Sequence, residues 1–328
     1  MYKKPSSSTE KFVIDQLISD GGLLHTDLAE QKEVYLSESV GLWLTYLLEK
    51  DDQGRFQEQV EVLQKDFLKN DFVVWRIDGT KQATVTAFID DLRIIRALLE
   101  AGEKWGEKNY TELGKVIGEN IVKNGMYEDV FVDFVDVSTH EKAKTITLSY
   151  IMPSALQEMR QHKLLTQVQL VEQLAILRNA PLADAGYYAK YYDIASENYV
   201  FDTELHMIDQ LYTAYHKATL GEETKVFKKW LLALFKRDSK LYGRYDASSG
   251  KPAVSFESPA VYAMATRYMV ALGDEKMAKQ FFKKMESLKV NSTSGYIDPQ
   301  TKATHIFDNL LPLLAEREVK NANSKQLE

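Results

Sequence analysis

Hydrophobic positions repeat with helical spacing along most of the chain. In twelve segments, apolar residues recur at i, i+3, i+4 and i+7, which places them on one face of a helix. The connections between segments are short, which favours antiparallel neighbours. The pattern predicts an all-α fold with helices over residues 8–19, 32–50, 54–69, 81–104, 109–123, 154–162, 165–177, 202–217, 222–237, 257–271, 274–287 and 303–317.

Three interruptions of the helical pattern predict short strands. Residues 72–77 end in an Asp-Gly turn signal. Residues 129–137 alternate polar and apolar side chains, and a polar loop then leads to a second strand-like run at 145–150, which predicts a hairpin. Residues 187–201 predict another hairpin. We therefore expect small β-hairpin insertions in a helical fold.

The composition indicates one globular domain. The chain has 328 residues, 45% of them hydrophobic, and no Pro/Gly/Ser-rich linker divides it. We expect a single domain over residues 1–328. Its polar ends, residues 1–8 and 319–328, are predicted to be flexible.

Charge and cysteine content exclude several classes of function. The net charge of −7 argues against nucleic acid as a partner, because phosphate binding requires a basic surface. The absence of cysteine excludes disulfides, thiolate catalysis and cysteine-based zinc sites. No run of about 18 apolar residues is present, so no transmembrane segment is predicted. The first residues, MYKKPSSSTEKF, lack the apolar core of a signal peptide and have the composition of a polar tether that would follow a removed export signal.

The most informative polar residue is Glu38, which lies on a mostly apolar predicted helix. Burying a carboxylate is costly unless it is paired or protonated, so such a residue either has a partner or serves as an acid. The solvent side of an amphipathic helix is the simpler alternative. Further acidic positions at Asp91 and Asp202 favour chemistry, because cleavage of a glycosidic bond requires carboxyl groups from different parts of a fold.

These acidic positions also have structural interpretations. Asp202 precedes an apolar helix and could be its N-cap. Asp90 and Asp91 could lie on a solvated face, and only one of them can point into a groove. The tyrosine cluster at residues 187–192 suits either a sugar-binding surface or packing of an edge strand on helices.

Five segments, in order between residues 35 and 311, resemble the motifs of family 8 glycoside hydrolases, the bacterial cellulase, chitosanase and licheninase family. The first is Ser-Glu-Ser-Val-Gly at residues 37–41, similar to the family's Ser-Glu-x-x-Gly. The others are Ala-Phe-Ile-Asp-Asp-Leu-Arg-Ile at 87–94 (the Ala-Thr-Asp-Gly-Asp-x-Asp-Ile-Ala signature), Leu-Ser-Tyr-Ile-Met-Pro at 148–153 (Pro-Ser-Tyr-x-x-Pro), Tyr-Val-Phe-Asp at 199–202 (Tyr-Asp-Ala-x-Arg) and Phe-Asp-Asn-Leu-Leu at 307–311 (Tyr-Asp-x-Leu).

The resemblance implies an (α/α)6 barrel and an inverting mechanism. It makes Glu38 the proton donor and Asp202 the general base, and it has Asp91 hold a sugar hydroxyl or support the attacking site. Two positions depart from the family, since Ile89 replaces an aspartate and Leu205 replaces an arginine. The resemblance therefore indicates a divergent relative and does not specify cellulose as the substrate.

Six further residues are predicted to bind substrate, with Trp75 as a sugar platform and Tyr150 near the water or the ring. Arg76 could bind a hydroxyl or pair with Asp78, whereas Trp43 suits the core better. No metal or other cofactor is expected, because Glu204 and His206 lack the i, i+4 spacing of helical metal ligands. The six candidates are Trp75, Tyr150, Arg76, Asp90, Tyr188 and Tyr199.

These observations predict an endo-acting, inverting hydrolase of a β-linked, biofilm-related bacterial exopolysaccharide. We expect a monomer that is extracellular or anchored to the outer face of the cell membrane. Two alternatives stay open: a lyase or epimerase that uses Tyr150 and His206 on a similar helical barrel, and a non-catalytic glycan-binding protein.

Overall fold

The predicted helices are present in the structure, with some changes at their ends. The computed structural model describes residues 2–324. π-Helical turns extend the first helix over Val13–Leu17 and the third over Leu63–Phe67. The helices are α1 (Ser8–Phe12), α2 (Ser37–Lys50), α3 (Gln53–Val62), α4 (Phe88–Trp105), α5 (Lys108–Asn124), α6 (Pro153–Gln161), α7 (Gln167–Arg178), α8 (Met207–Thr219), α9 (Lys225–Asp238), α10 (Pro259–Ala271), α11 (Glu275–Glu286) and α12 (Phe307–Ser324).

Alternate helices form a closed inner ring. α2 packs against α4, α4 against α6, α8 against α10, and α10 against α12, which returns to α2. The 3₁₀ turn Leu148–Tyr150, just before α6, packs against α8 and bridges that part of the ring. α3, α5, α7 and α11 each pack on the inner helix that precedes them, and α1 packs on α12. This (α/α)6 barrel confirms the predicted fold class.

The hydrophobic pattern explains which helices lie inside. α10 buries every residue from position 260 to position 269, so it is surrounded by protein on all sides. α11 buries only Ala278, Phe281 and Met285, one stripe at helical spacing, and exposes a basic face. A helix that is apolar all round must be enclosed, whereas a single stripe packs on one neighbour.

Short strands connect the helices. Within residues 2–324 they form five small sheets of two or three strands, with orders β1-β4-β5, β10-β9-β8, β11-β12, β2-β3 and β6-β7. The strands are β1 (Val34–Leu36), β2 (Leu68–Lys69), β3 (Phe72–Val73), β4 (Arg76–Asp78), β5 (Lys81–Gln82), β6 (Met126–Tyr127), β7 (Val130–Phe131), β8 (Thr145–Thr147), β9 (Tyr191–Asp193), β10 (Asn198–Val200), β11 (Glu204–His206) and β12 (Arg244–Asp246).

Both predicted hairpins form, the second one irregularly. The hairpin at 187–201 forms from β9 and β10. In the other, Val135 and Lys142 make an isolated antiparallel bridge, and a backbone hydrogen bond joins Asp133 to Thr145. Its outer ends pair elsewhere, because β8 joins β9 and β7 joins β6. The polar–apolar alternation also reflects burial of one side of the segment, where Val132, Val135 and Val137 enter the core.

Three helices begin later than predicted because strands precede them. β1 pairs with β4, so α2 begins at Ser37. β5 occupies Lys81–Gln82, so α4 begins at Phe88. β11 pairs with β12, so α8 begins at Met207 and not near residue 202. All three shifts affect residues that were assigned chemical roles, because they change which side chains occupy the first helical turn.

The amino-terminal segment lies at the end of the barrel where α2 terminates. Lys3 Nζ is 2.7 Å from Oδ2 of Asp51, the C-cap residue of α2. Lys50, in the last turn of α2, is buried in ion pairs with Glu10 and Asp52. Of the ends predicted to be flexible, Met1 and residues 325–328 lie outside the described residues. No helix between residues 2 and 324 combines the length and hydropathy needed to cross a bilayer.

Candidate active site

Acidic side chains from the first turns of four inner helices meet at one end of the barrel. They are Glu38 of α2, Asp90 of α4, Asp209 of α8 and Asp308 of α12. All four line a cavity of about 620 Å³. The inner helices run parallel, so their amino-terminal ends share one mouth, and the positive end of each helix dipole stabilises a carboxylate there.

Glu38 and Asp90 share one arginine. Arg93 Nη1 lies 3.3 Å from Glu38 Oε1 and 3.1 Å from Asp90 Oδ1. The hydroxyl of Ser37 donates a hydrogen bond of 2.7 Å to Asp90 Oδ2. Asp90 and Arg93 are buried, whereas the Glu38 side chain is 29% exposed to the cavity. The network therefore fixes Glu38 while leaving it accessible.

Burial raises the pKa of both carboxyl groups in this network. For Glu38 the charge of Arg93 opposes burial, and the negative charge of Asp209 adds to the increase in pKa. For Asp90, burial and the charge of Glu38 raise the pKa, while Arg93 and Ser37 oppose them. One guanidinium cannot fully compensate two buried carboxylates, so a proton is retained more readily in this pair than in water.

Asp209 is the second accessible carboxylate of the cavity. The Ser149 hydroxyl donates a hydrogen bond of 2.9 Å to Asp209 Oδ1. His206 Nδ1 lies 3.9 Å from Asp209 Oδ2, and the Asp209 side chain is 29% exposed. Asp209 acts electrostatically on both Glu38 and Tyr150, so it belongs to the same polar cluster.

Asp202, the base suggested by sequence, does not line this cavity. It lies between β10 and β11, and its Oδ2 accepts a hydrogen bond of 2.6 Å from Lys190 Nζ. Burial alone would raise the pKa of Asp202, but the hydrogen bond and charge of Lys190 outweigh it and lower the pKa. Asp209 also acts electrostatically on Lys190, so the two aspartates share one neighbouring cation.

The remaining candidates divide between the cavity and its surroundings. Trp75, Tyr150 and Asp90 line the cavity. Asp91 is buried outside the lining, and its Oδ1 has no hydrogen-bond partner. Burial and the charge of Asp90 raise the pKa of Asp91 well above its ordinary value. Arg76 pairs with Asp78 at 3.0 Å and does not line the cavity.

The other two predicted binding tyrosines pack against neighbouring residues inside the protein, as does Trp43. Tyr188 is 1% exposed and its ring stacks on Phe227. The hydroxyl of Tyr199 donates a hydrogen bond of 2.7 Å to the Ile176 carbonyl. Neither tyrosine lines the cavity. Trp43 is buried against Tyr46, as expected of a core residue.

Apolar and aromatic side chains form much of the remaining wall. Phe256 is 55% exposed and lies directly over Gly243, where a Cβ atom would come within 2.5 Å of the phenyl ring. Trp75 and Phe307 add further rings to the lining. Flat apolar rings around a carboxylate cluster suit a carbohydrate, whose rings present C–H faces and hydroxyl edges.

Sequence reasoning missed Asp209, Arg93 and Asp308. A usable signal was present, because an acidic residue occupies the first turn of four alternate helices. In a barrel of helical hairpins, alternate helices are the inner, parallel ones, so those positions converge. Arg93 follows Asp90 by three residues, the spacing of a helical ion pair.

Metal-ligating residues come together elsewhere in the described chain. Glu103, Glu158 and His162 place one ligand atom each within 4.8 Å of one another. Glu103 is in the last turns of α4 and the other two lie at the end of α6, so the group is at the opposite end of the barrel from the cavity.

Comparisons with known proteins show which solved structures share this architecture. No family model matches the chain. The structure is similar to an alpha-amylase from Clostridium perfringens (TM-score 0.85, 23% identity, 94% of this chain and 96% of that one). It is also similar to PssZ from Listeria monocytogenes (TM-score 0.81, 28% identity, 97% of each chain) and to the endoglucanase Cel10, a family 8 glycosyl hydrolase from Klebsiella pneumoniae (TM-score 0.69, 14% identity, 97% of this chain and 99% of that one).

The fold is therefore the one shared by PssZ and by the family 8 glycosyl hydrolase Cel10. In sequence, the chain is 36% identical over 326 residues to YdaJ, a candidate lipoprotein of Bacillus subtilis (strain 168). The match covers 97% of this chain and 88% of YdaJ, so the chain belongs to the YdaJ family.

Proposed function

We propose that the protein is a glycoside hydrolase that cleaves a polysaccharide with inversion at the anomeric carbon. The observation that carries the proposal is the meeting of Glu38 and Asp209, both partly exposed, in one cavity. Inverting enzymes need one carboxylic acid and one carboxylate facing a shared space that also holds a water molecule. The structural neighbour Cel10 is an endoglucanase, which supports a polysaccharide substrate.

Glu38 is the proton donor in this proposal. A general acid must be protonated at the working pH, and burial together with the Asp209 charge raises the pKa of Glu38. Arg93 holds the carboxyl group in place through Oε1. The remaining oxygen is then available to protonate the glycosidic oxygen.

Asp209 is the general base. Its carboxylate is oriented by the Ser149 hydroxyl and faces the cavity, where it would remove a proton from the attacking water. Asp202 is the alternative base, favoured by the resemblance of residues 199–202 to the family motif. Asp202 forms an ion pair with Lys190 and lies outside the lining, which favours a supporting role. In that role Asp202 raises the pKa of Lys190 and so keeps this lysine protonated near Asp209.

Asp90 and Asp91 have different roles. Asp90 would accept a hydrogen bond from a sugar hydroxyl, since it lies in the lining beside the acid. Asp91 is buried outside the lining and would make no contact with the sugar. Trp75 and Tyr150 would bind the sugar rings, and burial raises the pKa of Tyr150, which keeps its phenol neutral as a hydrogen-bond donor.

The substrate is proposed to be a β-linked bacterial exopolysaccharide, cleaved within the chain by a monomeric enzyme. The site of action would be the outer face of the cell membrane or the extracellular space. The description of YdaJ as a candidate lipoprotein supports an anchored enzyme. The polar first residues of the chain fit a tether between an anchor and the barrel.

Three matched amide variants test these assignments: E38Q, D209N and D202N. Purified proteins are incubated with β-glucan, xylan, chitosan, starch and purified exopolysaccharide, and new reducing ends are counted. We expect E38Q and D209N each to lower kcat by about 10²–10⁴-fold, while D202N retains most activity. Proton NMR of the first product should show the inverted anomer.

The outcomes separate the parts of the proposal. Near wild-type activity of E38Q would refute the acid assignment. Loss of activity in D202N with retention in D209N would make Asp202 the base. Cleavage of starch alone would refute the β-linkage, and polysaccharide binding without new reducing ends would favour a glycan-binding protein.

A lyase or epimerase is the second candidate, because Tyr150 and His206 both line the cavity. Such an enzyme would abstract a proton next to a sugar carboxylate and would not consume water. A lyase would yield an unsaturated product that absorbs ultraviolet light, whereas an epimerase would change the sugar without new chain ends. Either result would replace the hydrolase proposal.

A further inference from the structure

Two neighbouring inner helices bring a histidine and two glutamates together far from the cavity. His162 is the C-cap residue of α6, and Glu158 lies one turn earlier on the same helix. Glu103, on α4, faces both. His162 Nε2 is 3.0 Å from Glu103 Oε1 and 3.2 Å from Glu158 Oε1. This group is about 20 Å along α4 from Asp90, so it is independent of the proposed catalytic machinery.

The buried members of this group have unsatisfied polar atoms that point into it. Glu158 is 8% exposed, and its Oε1 accepts no hydrogen bond. His162 Nε2 makes no hydrogen bond of suitable angle and forms only ion-pair contacts with the two carboxylates, at 3.0 and 3.2 Å. Buried polar atoms are normally satisfied by well-directed partners, so this geometry favours a ligand shared by the three side chains.

The local charge favours a cation. Arg96 compensates Glu100 through a 2.6 Å ion pair, which leaves Glu103 and Glu158 facing His162. A single imidazolium could neutralise only one of these two carboxylates.

We propose that Glu103, Glu158 and His162 bind a divalent transition-metal ion, with Zn²⁺ as the preferred metal. One imidazole and two carboxylates, with water in the fourth position, form a ligand set that suits Zn²⁺ better than Mg²⁺. Ligand atoms about 2.1 Å from a tetrahedral ion lie roughly 3.4 Å apart, so the two distances from His162 Nε2, 3.0 and 3.2 Å, need to change by only a few tenths of an ångström. The ion would join the carboxyl-terminal ends of α4 and α6 and thereby stabilise the barrel.

Calorimetric titration of the chelator-treated protein with ZnCl₂ tests this site, and MnCl₂ and MgCl₂ serve as comparison metals. We expect one Zn²⁺ to bind per chain. At a hundredfold excess over the dissociation constant, the melting temperature should rise by about 4 °C. E103Q and H162N should weaken binding by about tenfold or more. E61Q, which changes an exposed glutamate on α3, is the matched control and should bind like the wild type.

Glu103 is the most useful position because its side chain is mostly exposed, so E103Q should fold normally. The proposal is overturned if Zn²⁺ binds without saturation, if E103Q and H162N bind it as tightly as the wild type, or if Mg²⁺ binds more tightly than Zn²⁺. In the last case, oxygen ligands elsewhere would account for the binding. Activity measurements on variants of the cavity test the proposed hydrolase function, whereas metal titrations of E103Q and H162N test the metal site.

Discussion

Replacing Gly41 with alanine tests whether close packing of α2 on α4 positions the proposed acid. A Cβ atom at position 41 would lie 2.8 Å from the Arg93 Cβ and 3.4 Å from Ile94 Cγ1. The first contact is 0.6 Å short of the 3.4 Å at which ordinary Cβ contacts begin. Arg93 Cβ is attached directly to the backbone, so α4 itself must move.

Two opposing effects determine the stability of G41A. Alanine improves helix propensity by about 1 kcal/mol, whereas overpacking costs about 1–3 kcal/mol. We therefore expect a net loss of roughly 0–2 kcal/mol in the free energy of unfolding. The effect on activity should be larger, because the displaced Arg93 contacts both Glu38 and Asp90, and a misplacement of about 1 Å can lower kcat by about 10²-fold.

Urea denaturation measures the first effect, and steady-state kinetics on a polysaccharide that the wild type cleaves in the proposed assay measure the second. G21A is the matched control, because the nearest atom to a Cβ at position 21 is 3.9 Å away and no positive φ is required there. Wild-type stability together with wild-type kcat in G41A would contradict a positioning role for the contact between α2 and α4. A large loss of stability in G21A would show that glycine replacement itself, and not helix contact, is responsible.

Three further outcomes are expected. Because burial raises the pKa of Glu38 and the acid must be protonated, kcat/KM should fall as pH rises through that pKa; a rate that instead increases steadily with pH would contradict this. Burial raises the pKa of Glu49 from 4.5 to about 7, so its contribution to stability is lost as pH rises through this window, and E49Q should melt above the wild type at pH 8 but not at pH 4. K50M leaves Glu10 buried without its cation, while Asp52 keeps Arg55, and it should lower the free energy of unfolding by about 3–5 kcal/mol in urea melts; an unchanged midpoint would argue against the buried network.

Much of the fold could be predicted because helical periodicity records burial directly. The stripe on α4 and the uniformly apolar α10 identify inner helices without any knowledge of contacts. Hairpin pairing was harder, because alternation reports that one face is buried and not which strand is the neighbour. The pairing of β8 with β9 joins segments more than forty residues apart, which no local pattern contains.

The candidate site was predictable only as far as the helix starts were correct. Glu38 lies on α2 whether the helix begins at 32 or at 37, although β1 moves it from the second turn to the first. For α8, the predicted start near residue 202 made Asp202 a candidate N-cap, and the family resemblance made it the candidate base. The pairing of β11 with β12 moves that start to Met207, and Asp209 then occupies the first turn.

The position of the amino terminus determines how an anchored enzyme would be oriented. Lys3 contacts the carboxyl-terminal end of α2, while Glu38 lies at its beginning. The fourteen residues of α2 span about 20 Å, so the two points are on opposite poles of the barrel. An anchor attached ahead of Lys3 would hold the mouth pointing away from the attachment surface, toward polymer in the surroundings and away from headgroups beneath it.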